Sequence, residues 1–398
     1  NKNIEFEKLR LLFLEKKYKE AKILSENFIK KYPKDIILLK LIAEQEYSLE
    51  NYQEAKKSYN KVIALSNESV DPFIKLTAIY SHLKEYDNVI KIASKGICVY
   101  KNNLILYRNL VIAQIHEKKF LEAFENIKII EEIDIYDEVP ASFGWYLKEQ
   151  LDLNYKFKYL NNPINYLRKY STSKLYKNNF LKKLNSFIEE IPKTWEPKNQ
   201  TTKFGYQSEN NLFYEYKESN ILKAVVNLIS KSIEEYRENF KKSEDLFIKD
   251  FPDEFYLVGW GVDLRKSGYQ GSHNHRDSWL SGVLYLKIPK NLNNNEGNIE
   301  FSSHGYNLPI SNKKKISSSS FKPFEGALVM FPSSLFHRTI PFISEDNRIC
   351  IAFYGIIIAF HNYCWRKVGI HSLVIFIQYH DIVTIFTICF CLFISYFF

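Results

Sequence analysis

Two histidine clusters and one arginine, set in strand-like sequence between Gly268 and Phe353, have the residue types and spacing to hold a metal ion and a carboxylate. The first cluster is His273-Asn274-His275 in SGYQGSHNHRDSWLSGVLYL; the second is His337 in ALVMFPSSLFHRTIPF, followed 11 residues later by Arg348 in NRICIAFYG. In an extended strand, residues two apart face the same way, so His273, His275 and Asp277 would point to one side and two of the three could grip one ion. Two imidazoles and a carboxylate on one face of a metal, with open positions opposite, are the ligand set of nonheme iron(II) chemistry. His275-Arg276-Asp277 meets the His-x-carboxylate spacing and His273-Asn274-His275 offers an all-histidine version; the spacing permits both. His337 follows the Phe331-Pro332-Ser333-Ser334 turn and supplies the distal ligand in this reading. Arg348 opens the next strand with a planar fork that suits bidentate carboxylate binding as no lysine would. Tyr285 shares a strand face with Ser281 and Lys287, where it would either hydrogen-bond a bound co-substrate or simply line the interior. His304, in FSSHGYN, reads as a loop residue, and His82 and His116 as residues of repeat helices.

Strands are needed to position such a site, and the sequence offers short runs rich in β-branched and aromatic residues at 255–264, 280–288, 298–301, 327–331 and 348–358. Turn-like interruptions at 291–297 and 311–320 separate them, which indicates an antiparallel fold, a sandwich or a jelly roll. No glycine-rich phosphate loop follows any strand, which excludes the nucleotide-binding folds. Residues 221–240 read as one long amphipathic helix, with Ile221, Val225, Leu228, Ile229, Ile233 and Tyr236 on a stripe that would pack on the outside of the sheet.

The first third of the chain is organised differently. Tyr18, Tyr52, Tyr86 and Phe120 stand 34 residues apart, as do Ala21, Ala55, Val89 and Ala123. Each copy reads as an aromatic, two polar residues, a small residue and a helical apolar pattern, which resembles the tetratricopeptide repeat, or TPR, a helix pair packed closely through its small residue. Such pairs bury their apolar faces by stacking into an α-solenoid whose concave surface would take a protein or peptide partner. The expected domains are TPR-like helical repeats over 1–135, a helical cap or linker over 136–198, with SKLYKNNFLKKLNSFIEEI its clearest amphipathic piece, the β domain over 199–358, and a hydrophobic tail over 359–398.

The apolar share of 45% is ample for packed cores. The net charge of +9 comes from 55 basic and 46 acidic residues that mostly alternate, without the clustering of a nucleic-acid footprint. Five cysteines with no CxxC pair fit a reducing compartment, and the first residues carry no apolar signal core, so a cytoplasmic location is expected. From Ile382 to Phe398 the tail is uncharged for 17 residues, the lower edge of a membrane span, and reads as a tail anchor or as a buried terminal element.

From Trp195 to about Phe353 the sequence resembles the 2-oxoglutarate- and iron(II)-dependent oxygenases that often follow tetratricopeptide repeats and carry the patterns HxHPxxWLSGVYYL, GxLVxFPSxxxH and RxSxxFN. The matching pieces here are HNHRDSWLSGVLYL, GALVMFPSSLFH and RICIAF, with TTKFGYQSENNLF similar to the family's entry segment. The resemblance implies an antiparallel double-stranded β-helix, or jelly roll, with flanking helices after the α-solenoid, an α+β multidomain chain. It implies iron(II) at His273 and/or His275 and His337, with Arg348 at the far carboxylate of 2-oxoglutarate, and favours the all-histidine pair over Asp277. Ascorbate would be an accessory reductant. Arg276 replaces the usual proline, Cys350 the serine two after the arginine, and Tyr354 the asparagine. The implied function is hydroxylation of a protein or peptide recruited by the repeats; the alternative, suggested by Cys350 and the divergent tail, is a noncatalytic interaction protein with a degenerate jelly roll.

Overall fold

A computed structural model describes residues 2–15, 17–172, 179–276, 278–311 and 316–357. Asp277 and the tail from 358 onward, including Ile382 to Phe398, lie outside the described residues. The described chain divides into two compact units, one up to Ile127 and one from Lys128 on.

The first unit is built from the repeats. Eight helices follow one another: α1 (Lys2–Leu14), α2 (Tyr18–Lys31), α3 (Ile36–Ser48), α4 (Tyr52–Leu65), α5 (Asp71–His82), α6 (Tyr86–Val99), α7 (Leu104–His116) and α8 (Phe120–Ile133). The repeating aromatics are the first residues of α2, α4, α6 and α8. Ala21, Ala55, Val89 and Ala123 are completely buried, so the small side chain at this position is what lets neighbouring helices approach. Within each of three pairs the turn passes through a left-handed residue, Glu50, Lys84 and Lys118, again 34 apart and with φ of 62°, 58° and 58°. Asp35 and Asn103 cap α3 and α7, their side chains accepting from Leu38 N and Leu106 N at 3.0 Å.

Among its described residues the second unit holds ten strands: β1 (Arg168–Ser171), β2 (Thr194–Trp195), β3 (Thr202–Gln207), β4 (Phe255–Gln270), β5 (Leu280–Lys287), β6 (Ile299–Ser302), β7 (Ser318–Phe321), β8 (Ala327–Pro332), β9 (Phe336–Thr339) and β10 (Arg348–Ile357). Its helices are α9 (Trp145–Leu151), α10 (Phe180–Glu190), α11 (Leu212–Glu215), α12 (Asn220–Phe240) and α13 (Leu246–Lys249). The strands form a seven-stranded sheet in the order β1-β8-β5-β10-β4-β3-β2 and a three-stranded sheet in the order β7-β6-β9. Every pairing is antiparallel, and among the described residues the two sheets do not join into a closed barrel.

Strand alternation divides the second unit's core in two. Leu280, Leu284, Ile349, Ile351 and Phe353 on the outer face of the large sheet cluster with Val225, Ile229, Ile233 and Tyr236 of α12 and with Leu184 and Ile188 of α10. The intervening residues Val283, Tyr285, Cys350 and Ala352 turn inward and meet Ile299 and Phe301 of the small sheet. β10 therefore has both faces covered, which is why RICIAF reads as nearly continuous apolar sequence.

Five strands depart from the sequence expectation, β1 and β2 lying within the segment 136–198 that reads as a helical cap or linker. β3 lies in a polar stretch, β7 in the serine-rich segment read as a turn, and β9 in FHRT immediately after the Ser333-Ser334 turn. β7 has the half-exposed pattern of a sheet edge, where backbone pairing needs no apolar alternation. No helix among the described residues is long and apolar enough to cross a membrane.

Candidate metal centre

β9 and the loop joining β4 to β5 bring the predicted histidines together. His273 and His337 exchange backbone hydrogen bonds in both directions, at 3.1 Å and 2.9 Å, as an isolated antiparallel bridge. His275 N donates to Ser333 O at 2.9 Å, so both sides of the loop are tied to the turn that precedes β9. Asn274, between the two histidines, is buried and accepts from the Tyr306 hydroxyl at 2.7 Å. With the backbone thus fixed, the three imidazoles converge: their nearest ring nitrogens all lie within 4.8 Å of one another, and ring centroids are 4.3 Å apart for His273 and His337, 5.1 Å for His273 and His275, and 5.0 Å for His275 and His337.

The tautomers favour a ligand role. His273 Nδ1–H donates to Gly271 O at 2.7 Å and His337 Nδ1–H to Leu335 O at 3.0 Å. Each leaves Nε2 with a free lone pair, and the backbone carbonyl fixes the ring plane, as outer partners of metal-bound histidines do. Burial lowers the pKa of His273 and lowers those of His275 and His337 well below the ordinary 6.5; the neighbouring imidazoles push the latter two further down. All three are neutral at physiological pH, the form that binds a metal. Histidines 82, 116 and 304 stay apart from this centre: His82 stacks near Tyr52, His116 on Tyr86, and His304 holds Leu308 O through Nε2.

One cavity joins the imidazoles to Arg348 and Tyr285 and is walled by Val283, Ile299, Phe331 and Ala352. Arg348 is only 1% exposed, yet among the described residues no carboxylate lies within ion-pair distance of it. Its Nε–H donates to Gly297 O at 3.1 Å and one terminal N–H reaches Cys350 Sγ at 3.8 Å. Nearby acids are engaged elsewhere, Asp263 with Arg265 at 2.8 Å and Glu300 with Arg338 at 2.7 Å. The guanidinium lies 4.8 Å from the Tyr285 ring centroid, and the Tyr285 hydroxyl is buried without a hydrogen-bond partner among the described residues. Burial raises the pKa of this phenol and of the Cys350 thiol, so both keep their protons and remain donors. A buried cation and a buried hydroxyl lining the same cavity as three neutral imidazoles suit a ligand that is anionic at one end and chelating at the other.

The same cavity takes in Trp260, Gln270 and Thr339, which the motif reading did not reach. For Trp260 the signal was present in GWGVDL: it shares parity with Val262 and Leu264, the inward residues of β4.

Residues 259–354 match the family described as "Putative 2OG-Fe(II) oxygenase", a span holding all three histidines, Tyr285 and Arg348. The chain thus carries a 2OG-Fe(II) oxygenase domain, preceded by TPR-like helical repeats. A prolyl-4-hydroxylase from Pseudomonas putida is similar to it over 48% of this chain and 92% of that one, at 10% identity and a TM-score of 0.32. An oxidoreductase of the 2OG-Fe(II) oxygenase family from Burkholderia pseudomallei matches over 48% of this chain and 85% of its own, at 12% identity and a TM-score of 0.32. YrrB, a TPR protein with an unusual peptide-binding site, matches over 37% of this chain and 76% of its own, at 14% identity and a TM-score of 0.34. No curated protein matches the chain.

Proposed function

We propose that the chain is an iron(II)- and 2-oxoglutarate-dependent hydroxylase acting on a protein or peptide that the helical repeats recruit. The observation that carries this reading is the meeting, in one cavity, of three convergent imidazoles with a buried arginine that has no carboxylate partner among the described residues. His273, His275 and His337 would hold the iron through ring nitrogens. Arg348 and the Tyr285 hydroxyl would hold the far carboxylate of 2-oxoglutarate. Bound together, iron and 2-oxoglutarate supply an oxidation of an unactivated C–H bond coupled to decarboxylation of the 2-oxo acid.

The chain's own residues bind and orient. Neutralising a buried guanidinium is worth several kcal/mol, since an unpaired charge in the interior is strongly destabilising. Val283, Ile299, Phe331 and Ala352 keep water from the reacting end. Recruitment is assigned to the repeats, proposed as residues 1–135, because stacked helix pairs present an extended surface of the kind that binds partners; residues 136–198 are assigned as the connection and 199–358 as the oxygenase unit.

The purified chain with iron(II), ascorbate and 2-oxoglutarate should release succinate in uncoupled turnover, and His337→Ala should abolish it. Absence of both succinate and bound iron would instead favour a noncatalytic repeat protein.

A further inference from the structure

The cavity holds a second unspent hydrogen-bond donor that the metal and co-substrate reading does not use. The Trp260 indole Nε1–H is buried and has no acceptor among the described residues. Register places it: Trp260 pairs with Ala352 on the β4 side of β10, whereas Val283 and Tyr285 pair on the β5 side, with Ala352 and Cys350 respectively. β10 thus forms a floor of small side chains, with the Arg348–Tyr285 pocket along one flank and Trp260 on the other, one inward row nearer the histidines. The indole ring lies 5.6 Å from the His275 ring and 5.4 Å from Tyr354, which itself is 5.3 Å from His275. Gln270, the last residue of β4, also lines the cavity, and its carboxamide N–H donates to the Thr202 hydroxyl at 3.4 Å.

We infer that Trp260 is a substrate-positioning residue, its indole N–H donating to a backbone carbonyl of a peptide substrate beside the metal centre. A buried N–H left without an acceptor is unfavourable, so an occupant supplying a carbonyl oxygen there gains a full hydrogen bond. The aromatic pair of Trp260 and Tyr354, with ring centroids 5.4 Å apart, suits the planar peptide group. This rests on the proposed oxygenase function for its chemistry, but the binding claim is separable.

The test follows the indole N–H resonances of the full-length chain, with labelled indole nitrogens, during titration with N-acetylglycine N-methylamide and, separately, with 2-oxoglutarate. The Trp260 resonance, assigned by its loss in Trp260→Phe, should move saturably with the blocked peptide while the other tryptophan indoles stay in place. Trp260→Phe, followed through backbone amide resonances near the cavity, should weaken the peptide's Kd about tenfold, the worth of one hydrogen bond, and leave 2-oxoglutarate affinity unchanged. A Trp260 resonance that ignores the peptide overturns the proposal, and one that moves with 2-oxoglutarate alone reassigns the indole to the co-substrate. If the chain releases no succinate but the peptide still moves the indole, the oxygenase reading fails and this inference stands.

Discussion

At the scale of single residues, the chemistry rests on side chains whose ionisation is set by burial. The three cavity imidazoles have folded pKa values below the ordinary 6.5. Above that value they are neutral in both the folded and the unfolded chain, so they add no pH dependence to stability. As pH falls below it, the unfolded chain takes up protons that the folded chain refuses, and folding is lost at up to about 1.4 kcal/mol per pH unit for each histidine. Denaturant midpoints of the metal-free chain should therefore decline on going from pH 7 to about 5.5, and His275→Gln should flatten the decline; identical slopes in the two proteins would contradict the burial argument. Cys350 makes a second prediction. Its neutral thiol is a weak donor 3.8 Å from the Arg348 guanidinium, so Cys350→Ser should tighten 2-oxoglutarate about three- to tenfold by adding a stronger one, read from the co-substrate dependence of succinate release. His273, His275, His337 and Arg348 were legible as a constellation because ligand chemistry restricts residue type and spacing. Trp260 was legible only as an inward residue of β4, through its parity with Val262 and Leu264, since an indole has no such restriction of type and spacing.

Among the elements, alternation and close approach decide what is tolerated. Gly282 on β5 lies under Phe353 of β10: a Cβ there would come within 2.3 Å of the Phe353 ring and 2.9 Å of Val329 O. Gly282→Ala should destabilise the chain by about 1–3 kcal/mol through overpacking, measured by urea denaturation, and Phe353→Leu in the same chain should recover part of the loss. Failure of the second change to help would place the strain on the Val329 carbonyl instead. The strands made of apolar, β-branched and aromatic runs, β4, β5, β6, β8 and β10, could be read from sequence to within a few residues, although β4 runs on to Gln270. β3, β7 and β9 could not, because edge and polar strands are held by backbone pairing to partners that local composition does not reveal. β9 matters most, since pairing with β6 and the bridge to His273 is what aims His337.

For the molecule as a whole, the 34-residue spacing made the repeats plain, whereas the order of the large sheet was hidden: β1 pairs with β8, through Arg168 opposite Met330, a contact between distant segments that no periodicity encodes. That arrangement has a functional consequence. His337 belongs to the small sheet and Arg348 to the large one, so iron on the imidazoles and a co-substrate on the arginine would bridge the two faces of the core, each ligand strengthening the other's hold. The most direct test is an anaerobic calorimetric titration of the full chain, first with iron(II) and then with 2-oxoglutarate. The account predicts one iron per chain, 2-oxoglutarate binding that appears only after iron is loaded, loss of the first step in His337→Ala, and loss of the second alone in Arg348→Ala. A chain that binds no iron, or takes up 2-oxoglutarate equally well without iron and without Arg348, would contradict it.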